Sequence, residues 1–287
     1  MASFCRAAAH LRAPVRFRRL GTVDLGAYPI RDPGSTGYQA LVSQCKGLIA
    51  SSGYCQLDGF VLPETVRAMC AEARQLRSRG LGFTSTNVHN LLLEAEEESS
   101  SAAPASPRAQ VFHSSKTLVA MSHLPESSPL RELYADDALR ELVRECFGLP
   151  RLSCSADPHG GVYYNFFDEG DALWWHCDRS HFSVNLILQT AEGGDFEFIP
   201  ESRHLADEIG TWADLEKDLQ RRKRVPKLNS GSIYLFAGNA SFHRVSPVTS
   251  GTRINAILTY NVEENQRLNA YTLKQFFGID QDTGGNA

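Results

Sequence analysis

Two histidines and an aspartate set the strongest constraint on how this chain can fold. His176 and Asp178 stand two residues apart in Trp174-Trp175-His176-Cys177-Asp178, an aromatic stretch followed by a strand-like run at 182–188. Side chains at i and i+2 of a β-strand leave on the same face, so an extended stretch makes this imidazole and carboxylate converge. His243 follows a second strand-like run (232–236), the turn Ala237-Gly238-Asn239, and then Phe242-His243-Arg244. Placed opposite the first pair, it gives two imidazoles and one carboxylate on one face of a metal. That set holds Fe(II) and leaves coordination positions open. Ten residues beyond, Arg253 opens a further strand-like run reaching 260.

The order and spacing of His176-x-Asp178, His243 and Arg253 resemble the non-haem Fe(II), 2-oxoglutarate-dependent oxygenases. The resemblance implies Fe(II), 2-oxoglutarate and O₂ as metal and co-substrates, with His176, Asp178 and His243 as iron ligands. It assigns Arg253 to the distal carboxylate of 2-oxoglutarate, which suits a planar guanidinium that can pair bidentately. From about Gly21 onward a narrower likeness appears. The runs Gly193-Gly194-Asp195-Phe196-Glu197-Phe198-Ile199-Pro200, Ser202-Arg203 and Phe242-His243-Arg244-Val245-Ser246-Pro247-Val248 are similar to the carrier-independent amino-acid hydroxylases and halogenases, as is Ser155-Ala156-Asp157-Pro158. Halogenating members carry a small residue in place of the carboxylate ligand. Asp178 departs from that pattern and implies hydroxylation or another oxidation.

In the strand expected at 162–167, alternation puts Tyr163, Asn165 and Phe167 on one face. Asn165 and Asn255 resemble co-substrate contacts of the alkylation-repair oxygenases, and Tyr163 joins them as a cofactor-side candidate; a buried amide bonded to backbone is the competing reading. Arg179 and His181, just after the metal dipeptide, and Arg108, after a low-complexity stretch, are candidates for holding charged substrate groups. Exposed polar residues are the alternative for all three. His10, His89, His113, His123, His159 and His204 have no partner at ligand spacing and read as structural or surface residues.

The remaining chain sets bounds. A length of 287 residues buries a full core in one domain, expected over 21–280. A net charge of −4 supports neither nucleic-acid nor membrane attraction, and no apolar run reaches the ~20 residues of a membrane span. Seven cysteines without a Cys-x-x-Cys pair suit a reduced compartment. Residues 1–20 hold five arginines and no acid, so a basic tail on a cytoplasmic protein competes with a mitochondrial or plastid import segment. Residues 94–107 are too polar to pack and read as a flexible insertion. Helices are expected at 37–52, 63–79, 128–147 and 212–224, with a short one at 271–277.

The expected fold is α+β with a mainly β core: a double-stranded β-helix, or jelly roll, buttressed by helices. The function that follows is oxidation of a C–H bond in a free amino acid or similar small polar metabolite, coupled to decarboxylation of 2-oxoglutarate to succinate. An oxygenase of protein or nucleic-acid side groups and a non-catalytic cupin-like binding protein are the alternatives.

Overall fold

Ser35 starts the first helix by accepting a hydrogen bond from the Tyr38 N–H at 3.1 Å. Gly53, at φ 67°, ends it by donating to the Ile49 carbonyl. This helix, α1 (Thr36–Ser52), and α2 (Pro63–Ser78) match the expected segments closely. Pro63 sits in the first turn of α2, where its missing N–H costs little. The single helix expected at 128–147 is instead two, α3 (Pro129–Tyr134) and α4 (Asp137–Phe147). Asp136 is extended there, and its carboxylate accepts from the Ala138 N–H at 2.8 Å, capping a new helix. A further helix, α5 (Trp212–Arg222), lies in the second half. The computed structural model describes residues 21–93 and 103–280, so most of the stretch expected to be a flexible insertion lies outside the described residues, as does the N-terminal basic segment.

The described strands are β1 (Tyr54–Leu57), β2 (Phe83–Asn90), β3 (Val111–Val119), β4 (Ser153–Cys154), β5 (Val162–Phe167), β6 (Leu173–His176) and β7 (Ser183–Gln189). They continue with β8 (Glu192–Gly193), β9 (Phe196–Ile199), β10 (Ile233–Phe236), β11 (Phe242–Val245), β12 (Val248–Ser250), β13 (Arg253–Leu258) and β14 (Tyr260–Asn261). Seven form one antiparallel sheet in the order β1-β10-β7-β13-β5-β3-β2, and three form a second in the order β6-β11-β9. Ile187, Tyr234 and Phe236 of the large sheet pack on Phe196 and Phe198 of the small one, closing the two layers of a jelly roll.

Period-2 alternation sorts the large sheet into two faces. Val162, Tyr164 and Phe166 of β5, Ile254, Ala256 and Leu258 of β13, and Val184, Leu186 and Leu188 of β7 pack with Val42, Met69, Leu142 and other apolar residues of the helices in the main core. Each such Leu, Ile or Phe contributes ~1.5–3 kcal/mol when fully buried. The intervening residues, Tyr163, Asn165 and Phe167, Arg253 and Asn255, and Asn185, face the interior of the roll. On the far side, Leu215 and Leu219 of α5 cover Trp175 and Phe242 of the small sheet. Strands β2 and β3 were not expected from sequence: β2 reads Phe-Thr-Ser-Thr-Asn-Val-His-Asn and shows no apolar stripe. Long antiparallel pairing with β3, from Phe83↔Leu118 to Asn90↔Val111, holds it in place.

Candidate functional site

His243 on β11 pairs directly with His176 on β6, and their ring centroids lie 4.1 Å apart. The His176 Nδ1 stands 2.8 Å from the Trp174 carbonyl and the His243 Nδ1 3.0 Å from that of Ser241. Carbonyls only accept, so each Nδ1 carries the proton and each Nε2 presents a lone pair to a common point. Asp178 completes the group: its Oδ1 is 3.5 Å from Nε2 of His176 and 3.4 Å from Nε2 of His243. All three ligand atoms fall within 4.8 Å of one another.

The carboxylate does not arrive there by strand alternation. β6 ends at His176, and Asp178 lies in the loop beyond it. Backbone contacts place it: the Asp178 N–H donates to the Gly238 carbonyl at 3.0 Å, and Asn239 Nδ2 donates to the Asp178 carbonyl at 2.9 Å. Burial opposes ionisation of Asp178; what holds its carboxyl below the ordinary range is positive charge at the same point, an imidazole protonated on Nε2 or a cation that takes its place. Burial, with His243 next to it, lowers the pKa of His176 and favours its neutral, ligating form. Beside them Arg244 forks between Glu197, at 2.7 Å, and the face of Trp175, which pins β11 against β9 and β6.

These residues open onto a cavity of about 570 Å³, lined by the inner faces of β5, β7, β10 and β13, by β3, and by 266–277 of the C-terminal segment. Arg253 lies on its floor, 2% exposed. Its Nη1 donates to Asn255 Oδ1 at 2.7 Å, its plane lies over the Phe167 ring with Tyr234 beside it, and its Nη2 is buried without a hydrogen bond. Asn255 therefore orients the guanidinium and in turn donates to Asn185 Oδ1 at 3.4 Å. Asn165, opposite Asn255 in the sheet register, buries its Oδ1 without a hydrogen bond, so the competing reading of an amide satisfied by backbone does not hold for that atom. Tyr163 shares this wall, with its ring edge-on to Phe277, and burial pushes its phenol pKa up.

The three substrate-side candidates divide. Arg179 stands exposed on the cavity lining and donates weakly to the Leu93 carbonyl. His181 is exposed and off the lining, because its loop turns it outward. Arg108 is also outside the cavity, forked onto Asp207 at 2.6 and 3.0 Å. In its place the structure brings in residues that spacing did not single out. His89, expected to be structural or surface, packs its ring edge against His176 and bonds Ser114 Oγ at 2.7 Å; burial takes its pKa down to about 4. Tyr234 approaches Arg253, and Lys116 reaches the wall from β3. The available signal for Lys116 was the alternation Ser114-x-Lys116-x-Leu118, a lone cation on the inward face of a strand.

The sequence profile described as Halogenase D matches residues 39–277. The chain belongs to this family. Solved structures agree in fold. An oxidoreductase of the 2OG-Fe(II) oxygenase family from Burkholderia pseudomallei matches with TM-score 0.51 at 14% identity, over 77% of this chain and 91% of that one. The 2-oxoglutarate-dependent epimerase SnoN of nogalamycin biosynthesis matches with TM-score 0.53 at 16%, over 78% and 83%. A prolyl hydroxylase from Trichoplax adhaerens matches with TM-score 0.52 at 11%, over 82% and 97%. A search of the curated proteins finds no match. This member of the Halogenase D family is thus an oxidoreductase with the fold of the Fe(II)/2-oxoglutarate oxygenases, and its three-residue donor set has the composition that fold uses for iron.

Proposed function

We propose that the protein is a hydroxylase that oxidises a C–H bond of a free amino acid or a similar small polar metabolite, with turnover of 2-oxoglutarate to succinate. One observation carries the reading: a His176–Asp178–His243 donor set and a buried guanidinium with an unpartnered Nη2, on Arg253, share one cavity. The orphaned Nη2 and the Asn165 Oδ1 are the polar atoms a bound dicarboxylic co-substrate and its hydration would satisfy.

Bound iron supplies the O₂ activation that the side chains cannot. The chain's own residues do the rest. His176, Asp178 and His243 would hold the ion, their ligand atoms lying within 4.8 Å of one another beside the cavity. Arg253, held by Asn255, grips the far carboxylate of 2-oxoglutarate and sets its reach. Phe236, 4.9 Å from the His243 ring, and Phe196, at 6.0 Å, keep water off that side of the site. A cavity of about 570 Å³ falls in the range of small-molecule sites, which favours a metabolite over a folded partner.

Halogenation, named in the family description, is the second reading. It requires a coordination position for halide, and the Asp178 carboxylate fills that position here. Succinate release dependent on Fe(II), measured with a panel of free amino acids and mass spectrometry of the products, tests both. Hydroxylated product supports the proposal. A chlorinated product in chloride, or no stimulation of turnover by free amino acids or other small polar metabolites, overturns it.

A further inference from the structure

His89 is buried on the cavity wall, and its ring stands at 76° to that of His176 with centroids 5.8 Å apart. Its Nδ1 is 3.0 Å from the Asn90 carbonyl and its Nε2 is 2.7 Å from Ser114 Oγ. A carbonyl only accepts, so Nδ1 carries the proton and Nε2 accepts from the Ser114 hydroxyl. Both ring nitrogens are engaged. His89 therefore offers neither a lone pair to a metal nor a donor to a ligand in the cavity.

The serine carries the constraint onward. A lone hydroxyl rotates freely, but one that donates to His89 keeps its lone pairs for other donors. Ser114 Oγ accepts from the Trp174 N–H at 2.9 Å, and the Trp174 carbonyl accepts from His176 Nδ1 at 2.8 Å. One line of hydrogen bonds thus runs from the His89 ring through the Ser114 hydroxyl and the Trp174 backbone to the His176 ring. Strand register produces it. His89 lies opposite Phe112 and Asn87 opposite Ser114, so His89 and Ser114 are diagonal neighbours on one face of the β2–β3 pair. A second bond from β3, Ser115 N–H to the Ala172 carbonyl at 2.9 Å, holds the chain where it enters β6.

We infer that His89 and Ser114 are positioning residues for the metal ligand His176. Together they fix the Trp174 backbone, whose carbonyl sets the tautomer and the plane of the ligating ring, and the His89 ring packs against it. This rests on the hydroxylase reading, which makes His176 an iron ligand, and adds a support for that ligand supplied by β2 and β3.

The test is the Mn(II) affinity of the full chain, read by calorimetry, beside the thermal midpoint of each metal-free variant. Ser114→Ala removes the hydroxyl. His89→Asn keeps an amide near the Asn90 carbonyl and falls short of Ser114, whereas His89→Gln places an acceptor near the Nε2 position. Ser114→Ala and His89→Asn should each weaken Mn(II) by ~10-fold or more, while 2-oxoglutarate binds the Mn(II)-saturated variants as before. The double variant should bind about as well as the weaker single one, because both changes break the same line, and His89→Gln should recover most of the affinity. The inference is overturned if Mn(II) binds both single variants at unaltered affinity, if their losses add in the double variant, or if His89→Gln loses as much as His89→Asn. A loss of affinity matched by a fall in the metal-free midpoint would make the pair structural and also overturn it. Where a His89 variant does not fold, Ser114→Ala, which deletes a single oxygen, decides alone. Failure of the unaltered chain to bind Mn(II) at all would instead remove the hydroxylase reading, and this inference with it.

Discussion

A methyl group added to Gly238 would stand 2.1 Å from Oδ2 of Asp178, far inside contact distance. The glycine is therefore what lets the backbone after β10 press against the carboxylate and aim it at the two imidazoles. Gly238→Ala should push Asp178 aside and weaken Fe(II) or Mn(II) binding by ~10–100-fold, the usual cost of disturbing a ligand's support. Metal titration of the purified variant checks this, and binding at unaltered affinity would contradict it.

Removing the carboxylate itself separates two chemistries. Asp178→Ala should lower Fe(II)-dependent succinate release by at least ~100-fold, beyond what loss of supporting contacts costs. Asp178→Gly is expected to keep iron on His176 and His243 and to open a position for chloride. Products formed in chloride, resolved by mass spectrometry, reveal whether a chlorinated species appears. Persisting wild-type turnover in Asp178→Ala would rule out this carboxylate as a ligand.

Arg253 makes a prediction specific to the co-substrate. Its guanidinium is buried, oriented by Asn255, and has one donor nitrogen free. Arg253→Lys exchanges a fork for a point charge. The KM for 2-oxoglutarate should rise by ~10–100-fold, the range of a lost charged hydrogen bond, while the KM for the primary substrate changes little. Steady-state kinetics with each substrate varied in turn distinguishes this from a general loss of fold.

Lys116 is held in the fold at a cost in stability. Burial drops its folded pKa to about 8, with Arg253 acting in the same direction and Asp178 against it, while an unfolded lysine titrates near ~10.4. Between those values the unfolded chain binds a proton that the folded chain does not, so stability rises with pH across that window; below it the full cost of the buried charge is present. Lys116→Met should therefore make the metal-free protein more stable at pH 7, by on the order of 2–3 kcal/mol, and flatten the rise between pH 8 and 10. Urea midpoints measured across that range decide the point; a destabilised methionine variant would count against it.

Much of the fold was legible because apolar periodicity and local chemistry act within a few residues. Gly53 ends α1 as a left-handed stop, and the Val162–Phe167 strand separates Tyr163, Asn165 and Phe167 from Val162, Tyr164 and Phe166 by alternation alone. The split between α3 and α4 escaped this logic because Leu130 and Leu133, and then Leu139, Leu142 and Val143, each keep helical spacing within their own segment. The six-residue step from Leu133 to Leu139 breaks the period where Ala135 closes one helix and Asp136 caps the next. β2 escaped it too: a polar strand gains its place from its partner, β3, and leaves little trace in its own residues.

Residue type and spacing along the chain were enough to single out His176, Asp178, His243 and Arg253, and the fold brings the first three together beside the cavity that Arg253 lines. Tertiary structure alone decided that Gly238 presses on Asp178, that Lys116 from a distant strand joins the same cavity, and that His181 and Arg108 do not. Those outcomes depend on which strands become neighbours, and packing of side chains remote in sequence settles that in three dimensions.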